Sequence, residues 1–240
     1  MKHIHLETVT STNQEILKYV DEAPVYLTAD NQTAGRGQRG NTWESEPGKN
    51  ITMSILLRLK HVRPAEQFAV SRAVAIAVCD ILTPLLPFDK SALIKWPNDI
   101  YIDDKKIAGI LIENSISGTE LKHTVIGIGL NVNQMEFLSP APNPVSLAQI
   151  LGHTLDAGAI AAGIADRVLK LVGGIDGATA FSFEYHRRLW QIGVMRPFHD
   201  TATGEIFTAA IDHVEDDGRL ALKDAAGHLR HYYFKEVAFL

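Results

Sequence analysis

Apolar and polar residues alternate over residues 3–9, which predicts a β-strand with one face turned inward. A helix start follows at Ser11-Thr12-Asn13-Gln14-Glu15. Thr12 and Glu15 have capping-box spacing, and Ile16, Leu17 and Val20 supply an apolar stripe. Val25–Thr28 reads as a short strand. Over Ile51–Leu59 a second strand places Ile51, Met53, Ile55, Leu57 and Leu59 on one face. Pro64 stands at the first-turn position of a long helix running through Phe68, Val70, Val74, Ile76, Ala77, Val78 and Ile81 towards Pro84. That helix is apolar over much of its surface, the pattern of a buried element.

A β-rich block comes next, with strands at Ala92–Trp96, Ile100–Ile102, Ile107–Glu113 and Leu121–Asn131. Asp103-Asp104-Lys105 and Ser117-Gly118-Thr119 have the composition of hairpin turns. Beyond the proline-rich stretch Ser139–Pro144 the pattern turns helical, at Leu147–Leu151, Asp156–Leu171 and Ala178–Trp190. From Ile192 short strands return at Ile206–Val214, Leu220–Lys223, His228–Phe234 and Val237–Leu240, separated by Asp- and Gly-rich turns. The order predicts an α+β protein. Residues 1–190 form a mixed, mostly antiparallel sheet with helices, and residues 191–240 form a small β-barrel-like domain. Regular βαβ alternation is absent, which argues against a doubly wound sheet.

Composition narrows the class. The chain has 240 residues, 46% of them hydrophobic, enough for a sizeable core without staples. Cys79 is the lone cysteine, which excludes a disulfide framework and a thiolate zinc site and fits a reducing cytoplasm. No apolar run approaches the roughly 20 residues of a membrane span, and the N-terminus carries no signal-peptide core. A net charge of −5 disfavours general nucleic-acid binding.

The chemistry concentrates in Gly35-Arg36-Gly37-Gln38-Arg39-Gly40-Asn41-Thr42-Trp43. Glycines let bare backbone N–H groups approach an anion, and the arginines add charge. The Gly-x-Gly-x-x-Gly spacing matches a dinucleotide fingerprint. That fingerprint needs a helix to begin within the loop and an acidic residue about 20 positions on; turn chemistry follows here, and Lys60 stands at the second position. A P-loop fails because Asn41 replaces its lysine, and a kinase loop fails for want of His-Arg-Asp and Asp-Phe-Gly. Taken alone, the loop reads equally as a mobile surface turn with solvated arginines.

Lys95, inside Ala92-Leu93-Ile94-Lys95-Trp96-Pro97, is costly to bury unless an anion meets it; the plain alternative is an edge-strand lysine. Trp43 reads as a core or rim tryptophan or as a cover for a purine or an apolar ligand. Asn131, after Gly127-Ile128-Gly129-Leu130, suits a turn cap or a ligand contact equally. No Gly-x-Ser-x-Gly elbow or His-x-x-x-His pair is present. His186, beside Arg187 and Arg188, reads as part of a solvated helix face.

Four segments in this order resemble the biotin protein ligases: Gln32 to Trp43, Lys95-Trp96-Pro97-Asn98-Asp99, Lys106-Ile107-Ala108-Gly109-Ile110-Leu111, and Gly127-Ile128-Gly129-Leu130-Asn131. Ser11-Thr12-Asn13 agrees with them. The resemblance covers about residues 1–190. It implies a class II synthetase-like catalytic domain, and residues 191–240 are similar to the family's SH3-like C-terminal domain. It implies that biotin and ATP give biotinyl-5′-AMP, and that a lysine of a biotin carboxyl carrier protein then takes the biotinyl group. Lys95 and Arg36 are the implied catalytic residues. The implied biotin pocket comprises Ser11, Thr12, Asn13, Gln32, Gly35, Arg36, Gly37, Gln38, Lys95 and Gly109. Arg36, Arg39, Trp43, Lys95, Asn98 and Asn131 are implied on the nucleotide side. Mg²⁺ is expected on the ATP phosphates, without protein side-chain ligands.

Gln38 stands where many members carry arginine, so one phosphate contact is expected to be absent or replaced. The first strand begins at once, leaving no room for the DNA-binding domain of the bifunctional members. No DNA, membrane or repressor role is therefore expected, and a homodimer through sheet edges stays open. Two rivals remain: a lipoate or octanoate ligase or transferase of related fold, which needs a long greasy tunnel, and a nucleic-acid-binding module, which needs a basic aromatic stripe.

Overall fold

A computed structural model of the chain describes residues 1–118, 120–138 and 143–240, with the backbone but not the side chain of Arg39. Thr119 of the expected turn and residues 139–142 of the proline-rich stretch lie outside the described residues. Seven strands form the first sheet: β1 (Lys2–Val9), β2 (Val25–Gln32), β3 (Ile51–Leu57), β4 (Ala92–Lys95), β5 (Asp99–Ile102), β6 (Lys105–Ser117) and β7 (Glu120–Leu130). Their spatial order is β1-β2-β3-β7-β6-β5-β4. β1 and β2 run parallel, and the remaining pairs are antiparallel.

The helices α2 (Gln67–Leu82) and α4 (Ala157–Gly173) cover one face of this sheet. Met53, Ile55 and Leu57 of β3 and Ile126 and Ile128 of β7 meet Ala73, Val74, Ala77 and Val78 of α2 in one core. With its flanking turns, α2 runs over Pro64–Leu85 and is long and apolar enough to cross a membrane by composition, yet it is mostly buried within the protein.

The opposite face is hollowed by missing side chains. In register, Ser54 of β3 faces Gly127 of β7, which faces Leu111 of β6; Thr52 faces Gly129, which faces Gly109. Three glycines and two small hydroxyl residues thus make a trough across the centre of the sheet.

The expected helix from Ser11 through Val20 is one α-turn, α1 (Thr12–Glu15), followed by a 3-10 segment kinked at Tyr19. The Thr12–Glu15 capping box does not form. Thr12 is already the first helical residue, and its N–H and hydroxyl are committed to Gln32 instead. Two more short helices, α3 (Leu147–Leu151) and α5 (Ser182–Arg187), precede the C-terminal strands. The helix expected over Ala178–Trp190 shrinks to α5.

Five antiparallel strands form a second sheet in the order β11-β10-β9-β8-β12: β8 (Arg196–Asp200), β9 (Ile206–Val214), β10 (Leu220–Lys223), β11 (Leu229–Tyr232) and β12 (Val237–Phe239). β8 gives no clear signal in the sequence, because Pro197 and the polar His199-Asp200 pair break its alternation.

The C-terminal sheet is keyed into the rest of the chain by buried polar groups. The Arg72 guanidinium of α2 is fully buried and donates to the carbonyls of Ala178, Val214 and Glu215 and to the Asp216 carboxylate. The Trp96 indole donates to the Gly218 carbonyl at 2.9 Å. His186 is not on a solvated face. Its Nε2 accepts from the Val214 N–H at 2.9 Å, and burial holds its pKa below the usual imidazole value.

Candidate active site

A cavity of about 280 Å³ opens over the glycine trough. At one end, Ser11, Thr12 and Asn13 are all buried. Thr12 donates to Gln32 Oε1 from its N–H at 2.8 Å and its hydroxyl at 3.1 Å. Ser54 Oγ lies 2.6 Å from Asn13 Oδ1 and 2.8 Å from Thr12 Oγ1. Asn13 donates onward to Glu113 Oε2 at 2.7 Å. These bonds fix a constellation of hydroxyls and amides against Gly127, where a Cβ would stand 2.4 Å from Asn13 Oδ1. A polar, rigid end of this kind suits a compact ligand group carrying both N–H and C=O.

The glycine loop folds back on itself. Gly37 N–H donates to the Asn41 carbonyl at 2.7 Å and Trp43 N–H to the Gly35 carbonyl at 3.0 Å. Gly35 is required by close approach, since a Cβ there would stand 2.6 Å from the Trp43 carbonyl oxygen. Gly35 itself does not line the cavity, whereas Arg36, Gly37 and Gln38 do. Arg36 reaches Glu113 at 3.5 Å. The side chain of Arg39 lies outside the described residues. Trp43 lies flat in the trough, so that a Cβ on Gly129 would meet its indole at 2.3 Å and one on Gly109 at 2.9 Å. Its buried Nε1 has no hydrogen-bond partner among the described residues.

Lys95 ends β4 on the opposite wall. Its ammonium donates to the Tyr101 hydroxyl at 3.2 Å and lies 5.1 Å from the Phe239 ring centroid. Burial pushes its pKa below the usual lysine value, against an opposing pull from Asp99. Asp99 itself pairs with Lys106 at 2.7 Å, and Lys106 lies over the Trp43 ring at 5.6 Å. Two ammonium groups and one guanidinium thus border a single cavity, an arrangement that offsets anionic charge.

Asn98 lies on the cavity wall, but its side-chain amide donates to the Ile110 carbonyl at 2.7 Å and clasps β6. Asn131 does not line the cavity. It is buried behind it, with Nδ2 donating to the Val145 carbonyl at 3.1 Å and Oδ1 without a partner among the described residues. Sequence reasoning missed Ser54, Glu113, Tyr101 and Lys106 as site residues, together with the C-terminal wall of Phe234, Val237 and Phe239. Lys106 stood within a quoted motif; the C-terminal residues carried no signal, because only the docking of the second sheet brings them there. Among the described residues, no cluster of three His, Cys, Asp or Glu side chains is placed to hold a metal ion.

The chain belongs to the biotin/lipoate A/B protein ligase family, whose model matches residues 5–131. Among individual proteins, it is 37% identical over 129 residues to the bifunctional ligase/repressor BirA of Escherichia coli (strain K12), spanning 53% of this chain and 39% of that one. It is 29% identical over 238 residues to the biotin–[acetyl-CoA-carboxylase] ligase of Paracoccus denitrificans, spanning 92% and 94%. The chain thus spans half or less of the length of the BirA relatives it matches. A solved structure of the biotin protein ligase from Aquifex aeolicus in complex with biotin and ATP superposes with a TM-score of 0.81 at 22% identity, covering 99% of this chain and 97% of that one.

Proposed function

We propose that this protein is an ATP-dependent biotin ligase that activates biotin as biotinyl-5′-AMP and passes it to a lysine of a biotin carboxyl carrier domain. The observation that carries the reading is one cavity holding, at one end, Thr12, Asn13 and Gln32 with Ser54 bonded behind them and, along its walls, Lys95, Lys106 and Arg36. The Aquifex aeolicus protein of the same fold binds biotin and ATP, which supports it.

In this reading a biotin carboxylate oxygen attacks the α-phosphorus of ATP, a P–O bond to the β-phosphate breaks, and pyrophosphate leaves. Lys95 and Arg36 offset the repulsion between carboxylate and phosphate and the charge growing at the α-phosphate. Holding the two groups in line is worth several kcal/mol, with ~7–11 kcal/mol as the ceiling for ideal alignment. The acceptor amine then attacks the acyl carbon, AMP leaves, and an amide forms. Ser11, Thr12, Asn13 and Gln32 hold the ureido ring, Gly109 and the glycine loop close on the ligand, and Trp43 lies on the adenylate side. Mg²⁺ enters on the ATP phosphates. We place the reaction in the cytoplasm and assign it to residues 1–190, with the SH3-like unit of residues 191–240 closing one wall. The polar end of the cavity favours biotin over lipoate, whose tail asks for an apolar tunnel. Biotin-dependent ATP–pyrophosphate exchange tests the proposal. Exchange with biotin and none with lipoate is expected; exchange with lipoate alone would overturn it.

A further inference from the structure

Lys95 has three N–H donors and no acceptor. Among the described residues one hydrogen bond holds it, to Tyr101 Oη at 3.2 Å. Three ring faces surround the ammonium, with centroids 4.9 Å away for Tyr101, 5.6 Å for Trp190 and 5.1 Å for Phe239. Ring faces attract a cation without engaging its N–H bonds in acceptors. Two N–H bonds are therefore left, the number needed for one carboxylate oxygen and one phosphate oxygen.

Tyr101 is built for this contact. On the β4–β5 ladder Lys95 pairs with Asp99 and Leu93 with Tyr101, so Lys95 and Tyr101 are diagonal neighbours on one face. Tyr101 is buried, and its ring packs 5.4 Å from that of Trp190. Burial pushes its hydroxyl up to about 12, so near neutral pH it is a neutral acceptor and not a phenolate that would lock the lysine in an ion pair.

We propose that Tyr101 is a positioning residue for Lys95. Its hydroxyl takes one N–H, its ring with Trp190 and Phe239 fixes the ammonium, and the other two N–H bonds are left to face the two anions. This rests on the activation chemistry proposed above. The other charged groups around Lys95 are Asp99 on β5, Lys106 on β6 and Arg196 on β8, and a change at Tyr101 leaves all three in place.

The test is Tyr101→Phe in the full chain, which keeps the ring and removes the acceptor. Loss of one hydrogen bond to a charged group is expected to lower the kcat of biotin-dependent exchange about tenfold, with KM for biotin changing less than about threefold. The alkaline limb of the pH profile is expected to move to lower pH, because an acceptor that favours the charged lysine is gone. The same displacement is expected in the Lys95 titration followed by ¹³Cε NMR, with the signal assigned by its loss in Lys95→Met. Tyr101→Leu, which also removes the ring, is expected to lose more activity than Tyr101→Phe. An unmoved Lys95 titration, or kcat and pH profile unchanged in Tyr101→Phe, would overturn the proposal. If the unmodified protein shows no biotin-dependent exchange, the activity reading fails while the lysine titration still decides the role of Tyr101.

Discussion

Replacing Gly127 by alanine is the sharpest local perturbation of the polar end of the cavity. The added Cβ would stand 2.4 Å from Asn13 Oδ1 and 3.0 Å from its Nδ2. Asn13 must then swing away, giving up its contact with Ser54 at 2.6 Å and its donation to Glu113 at 2.7 Å. A neutral hydrogen bond contributes ~0.5–1.5 kcal/mol and one to a charged group ~1.5–3 kcal/mol. Glu113 is exposed, which places its bond at the low end. The sum, about 2 kcal/mol, corresponds to a roughly 30-fold weaker Kd for a ligand that needs Asn13 in place. Gly129→Ala is the matched control. Its Cβ would strike the Trp43 indole at 2.3 Å, on what we assign as the adenylate side. Titration calorimetry should therefore show Gly127→Ala binding biotin about 30-fold more weakly, while Gly129→Ala binds biotin within about threefold of the unmodified protein but raises KM for ATP. Unchanged biotin affinity in Gly127→Ala, or the two effects exchanged, would refute the placement of the ligand.

Lys95→Met should fold normally and lose nearly all biotin-dependent pyrophosphate exchange; a rate within a few-fold of the unmodified protein would remove Lys95 from the mechanism. Arg36→Ala should let the adenylate dissociate faster in a filter-retention chase, since the loop then has no guanidinium at the cavity from that position. Gln38→Arg, by adding one, should slow the same dissociation, and an unaltered half-life would show that position 38 does not face the phosphate. His186 has a pKa depressed by burial in the fold. Its contribution to stability is therefore complete above the ordinary imidazole value near 6.5 and is lost as pH falls through the depressed value. His186→Gln should flatten the fall in melting temperature between about pH 7 and pH 5; an equally steep fall would assign that slope to other groups.

Much of the first sheet was legible because apolar residues recur at every second position in β3 and β7, and α2 was legible because its apolar run follows the turn opened by Pro64. The polar end of the cavity was legible as residue types but not as a network. Thr12 looked like half of a capping box, and only the approach of β2 shows that Gln32 takes its donors. The glycines of β6 and β7 were visible as permissive residues. What they permit, a trough occupied by Asn13 and Trp43, depends on the pairing of Gly109 with Gly129 across two strands. Asn131 reads equally well as a turn cap or a ligand contact, and the resemblance implies Asn98 on the nucleotide side; the fold engages both side-chain amides with backbone carbonyls. Phe239 could not be assigned from the chain, since it reaches Lys95 only through the docking of a sheet more than a hundred residues away in sequence. His186 misled for the same reason: its two neighbouring arginines suggest solvent, whereas β9 supplies a buried N–H donor.

In the function proposed above, this cavity joins biotin to a protein lysine through an adenylate. The most direct measurement is the intact mass of a biotin carboxyl carrier domain incubated with this protein, biotin and MgATP. A gain of one biotinyl group on the carrier is expected, absent without ATP and absent with Lys95→Met. A carrier that keeps its unmodified mass with the complete mixture, or gains biotin equally with Lys95→Met, would contradict it.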